Sequence, residues 1–374
     1  MHTCKAIVRT LLLGLATAGL RGEPALTADG FPVPEAGHEF SFPRDHGSHP
    51  DFRLEWWYIT GHAFGAGGRR LGFQATFFRS AAPHDGSGGG SDPRFGTGQL
   101  YLAHMALLDT ATGRFIYQER LNRQGWDAQA DTGRLSIVNG PWSLAMEASP
   151  SQTMRLHGSV RSEAAFDFVL TPRKPLVIFG SKGVSRKGAA ASAASYYLTF
   201  PRLGLAGRIT LGKEDIEVTG EAWMDHEISS SQLDPGQVGW DWACLQLRNG
   251  QEAMCYRMRR RDGTVDPFST LAWINPEGGV THYPPSQFGW KVLATWTSPV
   301  TGAVYPVRVA ITLAPEGSPA RTFILEPLAK AQELAGGAGG IPYWEGGCRV
   351  LDERGADIGN AFLELTGYAQ PLRL

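Results

Sequence analysis

Carboxyl side chains stand next to tryptophans in two segments of this chain of 374 residues. One segment is Trp223-Met224-Asp225-His226-Glu227, and the other is Trp240-Asp241-Trp242. A carboxylic acid that apolar neighbours keep neutral can donate a proton, and indole faces attract the positive charge that such a donation creates. The candidate catalytic residues are three acids with two proton partners: Asp225, Glu227 and Asp241, with His226 and Tyr256.

Aromatic residues near these acids, and near an earlier tryptophan pair, are the candidate ligand contacts. They are Trp56, Trp57, Tyr58, His62, Trp223, Trp240 and Trp242. A structural role is the alternative for each of these residues. Asp225 and His226 could form a buried polar pair that joins two domains, and the tryptophans could fill the core.

A second polar cluster surrounds the earlier tryptophan pair. It contains Asp45, His46, His49, Glu55 and His62. Two histidines separated by two loop residues do not have to face one ion, so the spacing gives little support for a metal site. We expect the cluster to close a barrel or to contact a ligand, and we predict neither a metal nor an organic cofactor.

The composition excludes several classes of protein. With 35 Lys and Arg against 36 Asp and Glu, no excess charge attracts nucleic acid. The basic residues Lys5 and Arg9, followed by the apolar run Thr10–Leu20, predict a signal peptide over residues 1–22. No later segment is apolar enough to span a membrane. We therefore expect a protein that is exported to the periplasm or secreted.

Short alternating segments broken by turns predict an all-β fold of barrels or sandwiches. Pro327–Gly336 is the one segment with a good helical pattern. An Asp-His pair precedes a tryptophan-rich strand twice, at Asp45-His46 and at Asp225-His226, which indicates two related domains. We place these domains at residues 30–225 and 226–374, with the boundary near residues 212–235.

Asn249-Gly250 between two alternating runs predicts a hairpin with a two-residue turn. That turn places Cys244 opposite Cys255, where either a disulfide or two reduced thiols would fit. It also places Trp242 opposite Arg257 as a cation–π pair. Asp241 then lies on an apolar face, where burial favours the neutral form of a carboxyl.

Several long motifs resemble the carotenoid 1,2-hydratase/AttH-like family. They are EWWYITGH (55–62), GFQATFFR (72–79), AHMALLD (103–109), SYYLTFPRLGLAG (195–207), WMDHE (223–227), GQVGWDWACLQL (236–247) and LELTGYA (363–369). The resemblance implies two lipocalin-like β-barrels in tandem. The family includes carotenoid hydratases, fungal cyclases and exported bacterial proteins labelled as predicted secreted hydrolases or as companions of ABC transporters.

The resemblance leaves three functions open. The first is an exported protein that binds an apolar isoprenoid, lipid or polyketide, as an accessory to an ABC transporter or an envelope-lipid pathway. The second is a cofactor-free hydratase or cyclase that protonates an isoprenoid double bond, and the third is a structural or assembly role. An aromatic residue is expected after Asp-His-Glu, but Ile228 stands there, which counts against a hydratase. No Gly-x-Ser-x-Gly elbow supports a serine hydrolase.

Overall fold

The computed structural model describes residues 25–82, 98–148, 150–337 and 340–372. These residues form two antiparallel sheets with three short 3-10 turns, at Arg44–His46, Ala66–Gly68 and Pro285–Gln287. The strands of the first sheet are β1 (Leu54–Phe64), β2 (Arg70–Ala81), β3 (Gln99–Asp109), β4 (Arg114–Arg123), β5 (Ala128–Ala130), β6 (Ser136–Asn139), β7 (Trp142–Met146), β8 (Met154–Val160), β9 (Ala164–Pro172), β10 (Val177–Phe179), β11 (Ser185–Arg186), β12 (Ala194–Leu211) and β13 (Glu214–Ser231).

The second sheet follows in the chain. Its strands are β14 (Gln237–Leu247), β15 (Glu252–Arg260), β16 (Thr270–Ile274), β17 (Val280–Tyr283), β18 (Phe288–Thr297), β19 (Val304–Leu313), β20 (Arg321–Pro327), β21 (Glu333–Leu334), β22 (Tyr343–Leu351) and β23 (Asp357–Thr366). The strand order is β4-β3-β2-β1-β13-β12-β9-β8-β7-β6-β5 in the first sheet and β17-β16-β15-β14-β23-β22-β20-β19-β18 in the second. Each sheet is barrel-like, which confirms the predicted all-β, tandem lipocalin-like architecture.

Each sheet encloses its own apolar core, and a third cluster lies between the sheets. Trp57 and Phe73 belong to the first core, and Tyr305 and Trp344 belong to the second. The interface cluster is Tyr58, Val177, Phe179, Tyr197, Trp223, Trp242, Cys244, Met254, Tyr256, Met258, Ala272, Ile274 and Phe362. Because side chains alternate along a strand, Trp57 faces the first core while Tyr58 faces the other sheet.

The first sheet continues beyond the predicted division at residues 225 and 226. Strand β13 runs to Ser231, and β14 begins at Gln237. Asp225, His226 and Glu227 therefore belong to the first sheet, where β13 pairs with β1 on one side and β12 on the other. The predicted signal peptide lies outside the described residues. Among those residues no helix has the length and apolarity to cross a membrane.

The predicted register of the β14–β15 hairpin is wrong by one residue. Ala243 pairs with Cys255, and Cys244 pairs with Met254. Gly250, with φ of 79°, closes a loop of three residues rather than two. The two cysteines therefore point to opposite faces, and both are free and buried. The predicted pairing of Trp242 with Arg257 is also absent, because Arg257 lies opposite Asp241 and over the ring of Trp290.

The helix predicted over Pro327–Gly336 is wrong as well. Strand β20 ends at Pro327, and Glu333–Leu334 forms the short strand β21 beside β22. Glu333 accepts hydrogen bonds from Thr301 and Tyr305, at 2.6 and 2.9 Å. Tertiary contacts of this kind override the helical preference of the segment.

Candidate active site

A cavity of about 410 Å³ lies between the two sheets. The strand register arranges the side chains of its first wall in three rows, because residues paired across strands share a face. The inner row is polar and consists of Asp225, Tyr58, Thr76 and His104. The middle row consists of Glu227, Trp56, Phe78, Leu102 and Leu121, and the outer row consists of Leu54, Ser80 and Leu100.

The second sheet supplies the opposite wall. Its two rows are Tyr256, Trp242 and Glu364, and then Met258, Trp240, Thr366 and Tyr343. Leu100 and Leu121 are about two-fifths exposed, at 41% and 44%, and they stand where the cavity opens. The rows nearer the mouth of the first wall are mainly apolar and aromatic, with Ser80 and Glu227 as their polar members.

Asp225 is the acid of the inner row. Its Oδ2 accepts a hydrogen bond from the Tyr197 hydroxyl at 2.7 Å, and its Oδ1 accepts from Thr199 Oγ1 at 2.6 Å and Trp223 Nε1 at 2.7 Å. Burial raises the pKa of Asp225 to about 7, although these hydrogen bonds oppose the rise. Among the described residues it has no ion-pair partner. Asp225 is therefore a carboxylic acid that can hold or release a proton near neutral pH.

Glu227 lies one row nearer the cavity mouth and is neutralised by Lys187. The Lys187 Nζ is 3.2 Å from Glu227 Oε2, and Ser195 Oγ donates to the same oxygen at 2.5 Å. The ammonium of Lys187 also lies 4.4 Å from the ring centroid of Tyr197 and 4.0 Å from that of Tyr256. The Tyr256 hydroxyl donates to the Arg186 carbonyl at 2.9 Å. This group is an ion pair packed between aromatic rings.

Glu364 faces Asp225 from the second sheet. Its Oε2 accepts a hydrogen bond from Trp240 Nε1 at 3.2 Å. Burial raises the pKa of Glu364 to about 7. Trp242 Nε1 donates to the Tyr197 hydroxyl at 3.0 Å and so links the second wall to the donor of Asp225. The cavity thus holds two acids, on opposite walls, that change charge in the same pH range.

Seven of the twelve predicted site residues line the cavity. They are Asp225, Glu227, Tyr256, Trp56, Tyr58, Trp240 and Trp242. Trp223 contacts the site through its hydrogen bond to Asp225 and an edge-on contact with Trp242, with ring centroids 6.2 Å apart. Ile228 packs in a separate cluster with Val184 and Tyr196, on the face of β13 away from the cavity. Its identity therefore does not affect the cavity lining.

His226 and Trp57 lie on the opposite face of their strands. Their rings stack with centroids 4.7 Å apart, and His226 Nε2 is 2.9 Å from Glu55 Oε1. Glu55 also receives hydrogen bonds from His49 and from Arg79 Nε, at 2.9 Å each. Burial alone would raise the pKa of Glu55, but these partners outweigh it and hold the pKa well below the usual value.

Ligating atoms of His49, Glu55 and His226 lie within 4.8 Å of one another. The three could in principle hold a metal ion. Glu55 is already paired with the fully buried guanidinium of Arg79, whose positive charge opposes a second cation. The arrangement fits the predicted polar closure of the barrel better than it fits a metal centre.

Asp241 and His62 lie away from the cavity lining. Asp241 forms ion pairs with Arg257 and Arg259, and it accepts a hydrogen bond from the Tyr368 hydroxyl at 2.9 Å. Two arginines suit a carboxylate rather than a proton donor, so the predicted catalytic role of Asp241 finds no support in its surroundings. His62 Nε2 is 3.0 Å from the Ala361 carbonyl, and burial lowers the pKa of His62 to about 3.

Sequence reasoning did not select several residues that complete the cavity. These residues are Tyr197, Lys187, Thr76, His104, Tyr343 and Glu364. Four of them stand in motifs quoted above: Thr76 in GFQATFFR, His104 in AHMALLD, Tyr197 in SYYLTFPRLGLAG and Glu364 in LELTGYA. A search of those motifs for polar residues could have found these four. His104 and Tyr343 become neighbours only through the packing of the two sheets.

Comparisons with known proteins agree with this fold. The AttH-like family model matches residues 33–368. An AttH protein from Nitrosomonas europaea is 36% identical, over 89% of this chain and 98% of that chain, with a TM-score of 0.78. Kievitone hydratase from Nectria haematococca has a TM-score of 0.67 at 13% identity, over 92% of this chain and 96% of that chain.

The protein CghA, solved with Sch210972, has a TM-score of 0.51 at 11% identity, over 85% of this chain and 89% of that chain. At these identities the second and third likenesses establish the fold alone. No curated protein matches the sequence significantly. The resemblance that the sequence motifs indicated is confirmed.

Proposed function

Because the chain belongs to the AttH-like family, we propose that it binds an apolar small molecule between its two sheets and protonates a double bond of that molecule from Asp225. The observation that carries the proposal is the setting of Asp225. It is a buried acid without a cationic partner among the described residues, in a cavity lined by tryptophan and tyrosine. Kievitone hydratase shares the fold, which supports a hydratase or cyclase reaction for this chain.

The geometry supports each stage of such a reaction. Asp225 gives its proton to one carbon of the double bond, and the other carbon becomes positively charged. Trp56, Trp240 and Trp242 line the same cavity, and indole faces stabilise such a charge. Tyr197, Thr199 and Trp223 donate hydrogen bonds to the Asp225 carboxyl, and these bonds strengthen as it becomes a carboxylate. Water or a second double bond of the ligand then attacks the cation.

Isotope labelling tests this proposal. The purified protein is incubated with kievitone and with small isoprenoid alkenes in water enriched in ¹⁸O, and products are analysed by mass spectrometry. We expect a product that has gained one labelled water or has cyclised. Asp225→Asn should lower its formation by a factor of about 100 or more, which is typical of a lost general acid. Asp215→Asn, on an exposed part of the same strand, is the matched control.

Two results would count against this proposal. Equal rates for the wild type and Asp225→Asn would contradict the role of Asp225. Quenching of tryptophan fluorescence by these ligands without any conversion would support the binding function instead, in which the protein carries its ligand unchanged. A structural or assembly role predicts neither binding nor conversion.

We also propose that the protein is exported and acts outside the cytoplasm, with an ABC transporter or an envelope-lipid pathway as its partner. The basic and apolar character of residues 1–22 supports export. Cell fractionation and N-terminal sequencing of the mature protein test this part. Recovery of the full-length chain in the cytoplasm would contradict it.

A further inference from the structure

Two carboxyl groups lie side by side where the second wall forms the floor of the cavity: Glu364 lines the cavity, and Glu345 is buried next to it, outside the lining. Glu345 on β22 and Glu364 on β23 are direct partners in the strand register, so their side chains share one face. The Tyr58 hydroxyl donates to Glu345 Oε1 at 2.6 Å, and Trp240 Nε1 donates to Glu364 Oε2 at 3.2 Å. Among the described residues neither acid forms an ion pair. Two neighbouring acids without a cation hold one proton between them more readily than none.

Buried polar atoms without a hydrogen-bond partner occur in this pair and on the facing strands. They are Glu345 Oε2, Gln74 Oε1 on β2 and His104 Nε2 on β3, and His104 Nε2 lies 3.9 Å from Glu119 Oε1. Gln74 Nε2 donates to the Tyr343 hydroxyl at 3.0 Å, and His104 Nδ1 is 2.8 Å from the same hydroxyl. A buried polar atom without a partner costs free energy. The unpartnered Glu345 Oε2, next to the lining carboxyl of Glu364, indicates a place for a small polar group, and water is the smallest one.

We propose that the floor binds a water molecule and that the pair of Glu345 and Glu364 is the base that deprotonates it. This inference rests on the proposed function, since it assigns the second half of the addition that Asp225 begins. Asp225 gives its proton to one alkene carbon, the water oxygen bonds to the other, and the released water proton passes to Glu364. One water is added across the double bond. Asp225 ends as a carboxylate and the pair gains a proton, and exchange with solvent restores both.

The electrostatic setting agrees with this assignment. Burial and the neighbouring acid raise the pKa of Glu345 well above its usual value, and burial raises that of Glu364 to about 7. The titratable groups near the pair include Tyr58 from β1, His104 from β3, Asp225 and Glu227 from β13, Cys244 from β14, and Tyr343 from β22. Lys187, the cation of the cavity lining nearest to Glu227, is engaged in its own ion pair with that residue.

Deuterium exchange distinguishes the role of Asp225 from the role of Glu364. Kievitone is incubated in D₂O with the wild type, Asp225→Asn and Glu364→Gln. Glu364→Gln should lower alcohol formation by a factor of about 100, while deuterium still enters the recovered alkene at nearly the wild-type rate. Protonation by Asp225 stays intact in this variant, and the cation returns a proton to the Asp225 carboxylate. Asp225→Asn should abolish both, which distinguishes failure of the proposed function from failure of this inference.

The inference is overturned if Glu364→Gln forms alcohol at the wild-type rate, or if it loses exchange together with alcohol. A second measurement needs no substrate. NMR titration of protein labelled with ¹³C at the glutamate carboxyls should show the pKa of Glu345 fall in Glu364→Gln, because the neighbouring negative charge is gone. An unchanged Glu345 titration would also overturn the coupled pair. Glu353→Gln, in an exposed turn, controls for nonspecific effects.

Discussion

Glu55 and Asp225 are buried carboxyls on neighbouring strands, and their surroundings shift their pKa values in opposite directions. Glu55 is 0% exposed and Asp225 is 2% exposed. Glu55 is held by His49, His226 and the Arg79 guanidinium, and its pKa lies well below the usual value despite burial. Asp225 receives hydrogen bonds only from neutral groups, and burial raises its pKa to about 7. Both acids are therefore buried, and the charge of the partners decides whether the pKa falls or rises.

The comparison shows how one strand can serve two purposes. Asp225 and His226 are adjacent in sequence, but alternation places Asp225 in the cavity and His226 in the Glu55 cluster. One face carries a fixed ion pair that holds β1, β2 and β13 together. The other face carries an acid that can exchange a proton.

Glu55→Gln should have the largest effect, because it leaves the buried Arg79 guanidinium without its counter-ion. We expect a loss of about 3–5 kcal/mol in the free energy of unfolding at neutral pH. Since the pKa of Glu55 is lowered by folding, its contribution is present above the unfolded pKa and is lost as pH falls through the folded one. Denaturant unfolding measures both effects.

Glu147→Gln is the control for that experiment, because it removes an exposed ion pair with Arg155. Its cost should stay below about 1 kcal/mol. If Glu55→Gln costs no more than this control, the Glu55 cluster does not hold the fold as described.

Asp225→Asn should change the pH dependence of stability in the opposite direction. The pKa of Asp225 is higher in the folded protein, so the wild type loses stability as pH rises from the unfolded pKa through about 7. The variant lacks this loss. Between about pH 5 and about pH 8 its stability should therefore gain roughly 2 kcal/mol relative to the wild type. A constant difference across that range would show that Asp225 is ionised throughout.

Tyr197→Phe should have the smallest effect, about 1 kcal/mol, because it removes one of three neutral donors to Asp225. Loss of a donor disfavours the carboxylate, so the pKa of Asp225 should rise further. The stability loss should still begin at the unfolded pKa but should continue to higher pH. The pH dependence of unfolding measures this shift. Tyr196→Phe is the matched control, since its hydroxyl bonds to the backbone of Glu35; an equal shift in both variants would contradict the role of Tyr197.

The sequence allowed the fold and part of the site to be predicted. The long motifs carried the family resemblance, and the Trp-flanked acids led to Asp225, Glu227, Trp240 and Trp242. The hairpin register failed because Asn249-Gly250 fits both two- and three-residue loops, and one residue reverses the faces. The role expected of Asp241 found no support because Arg257 and Arg259 face it only in the observed register. Tyr343 and His104 could not be paired without knowing how the sheets pack.

The place of β1 between β2 and β13 has a consequence for how the molecule folds. Trp57 pairs with His226, and Tyr58 pairs with Asp225. These contacts of β1, the first strand of the sheet, form only when β13, its last strand in the chain, is in place. Contacts of such large sequence separation close slowly, because the loop entropy must be overcome before they form. The ion pair of Glu55 with Arg79 needs only β1 and β2, but the His226 contact with Glu55 and the Asp225 site are late features of folding. A chain that ends before β13 can complete neither of these two.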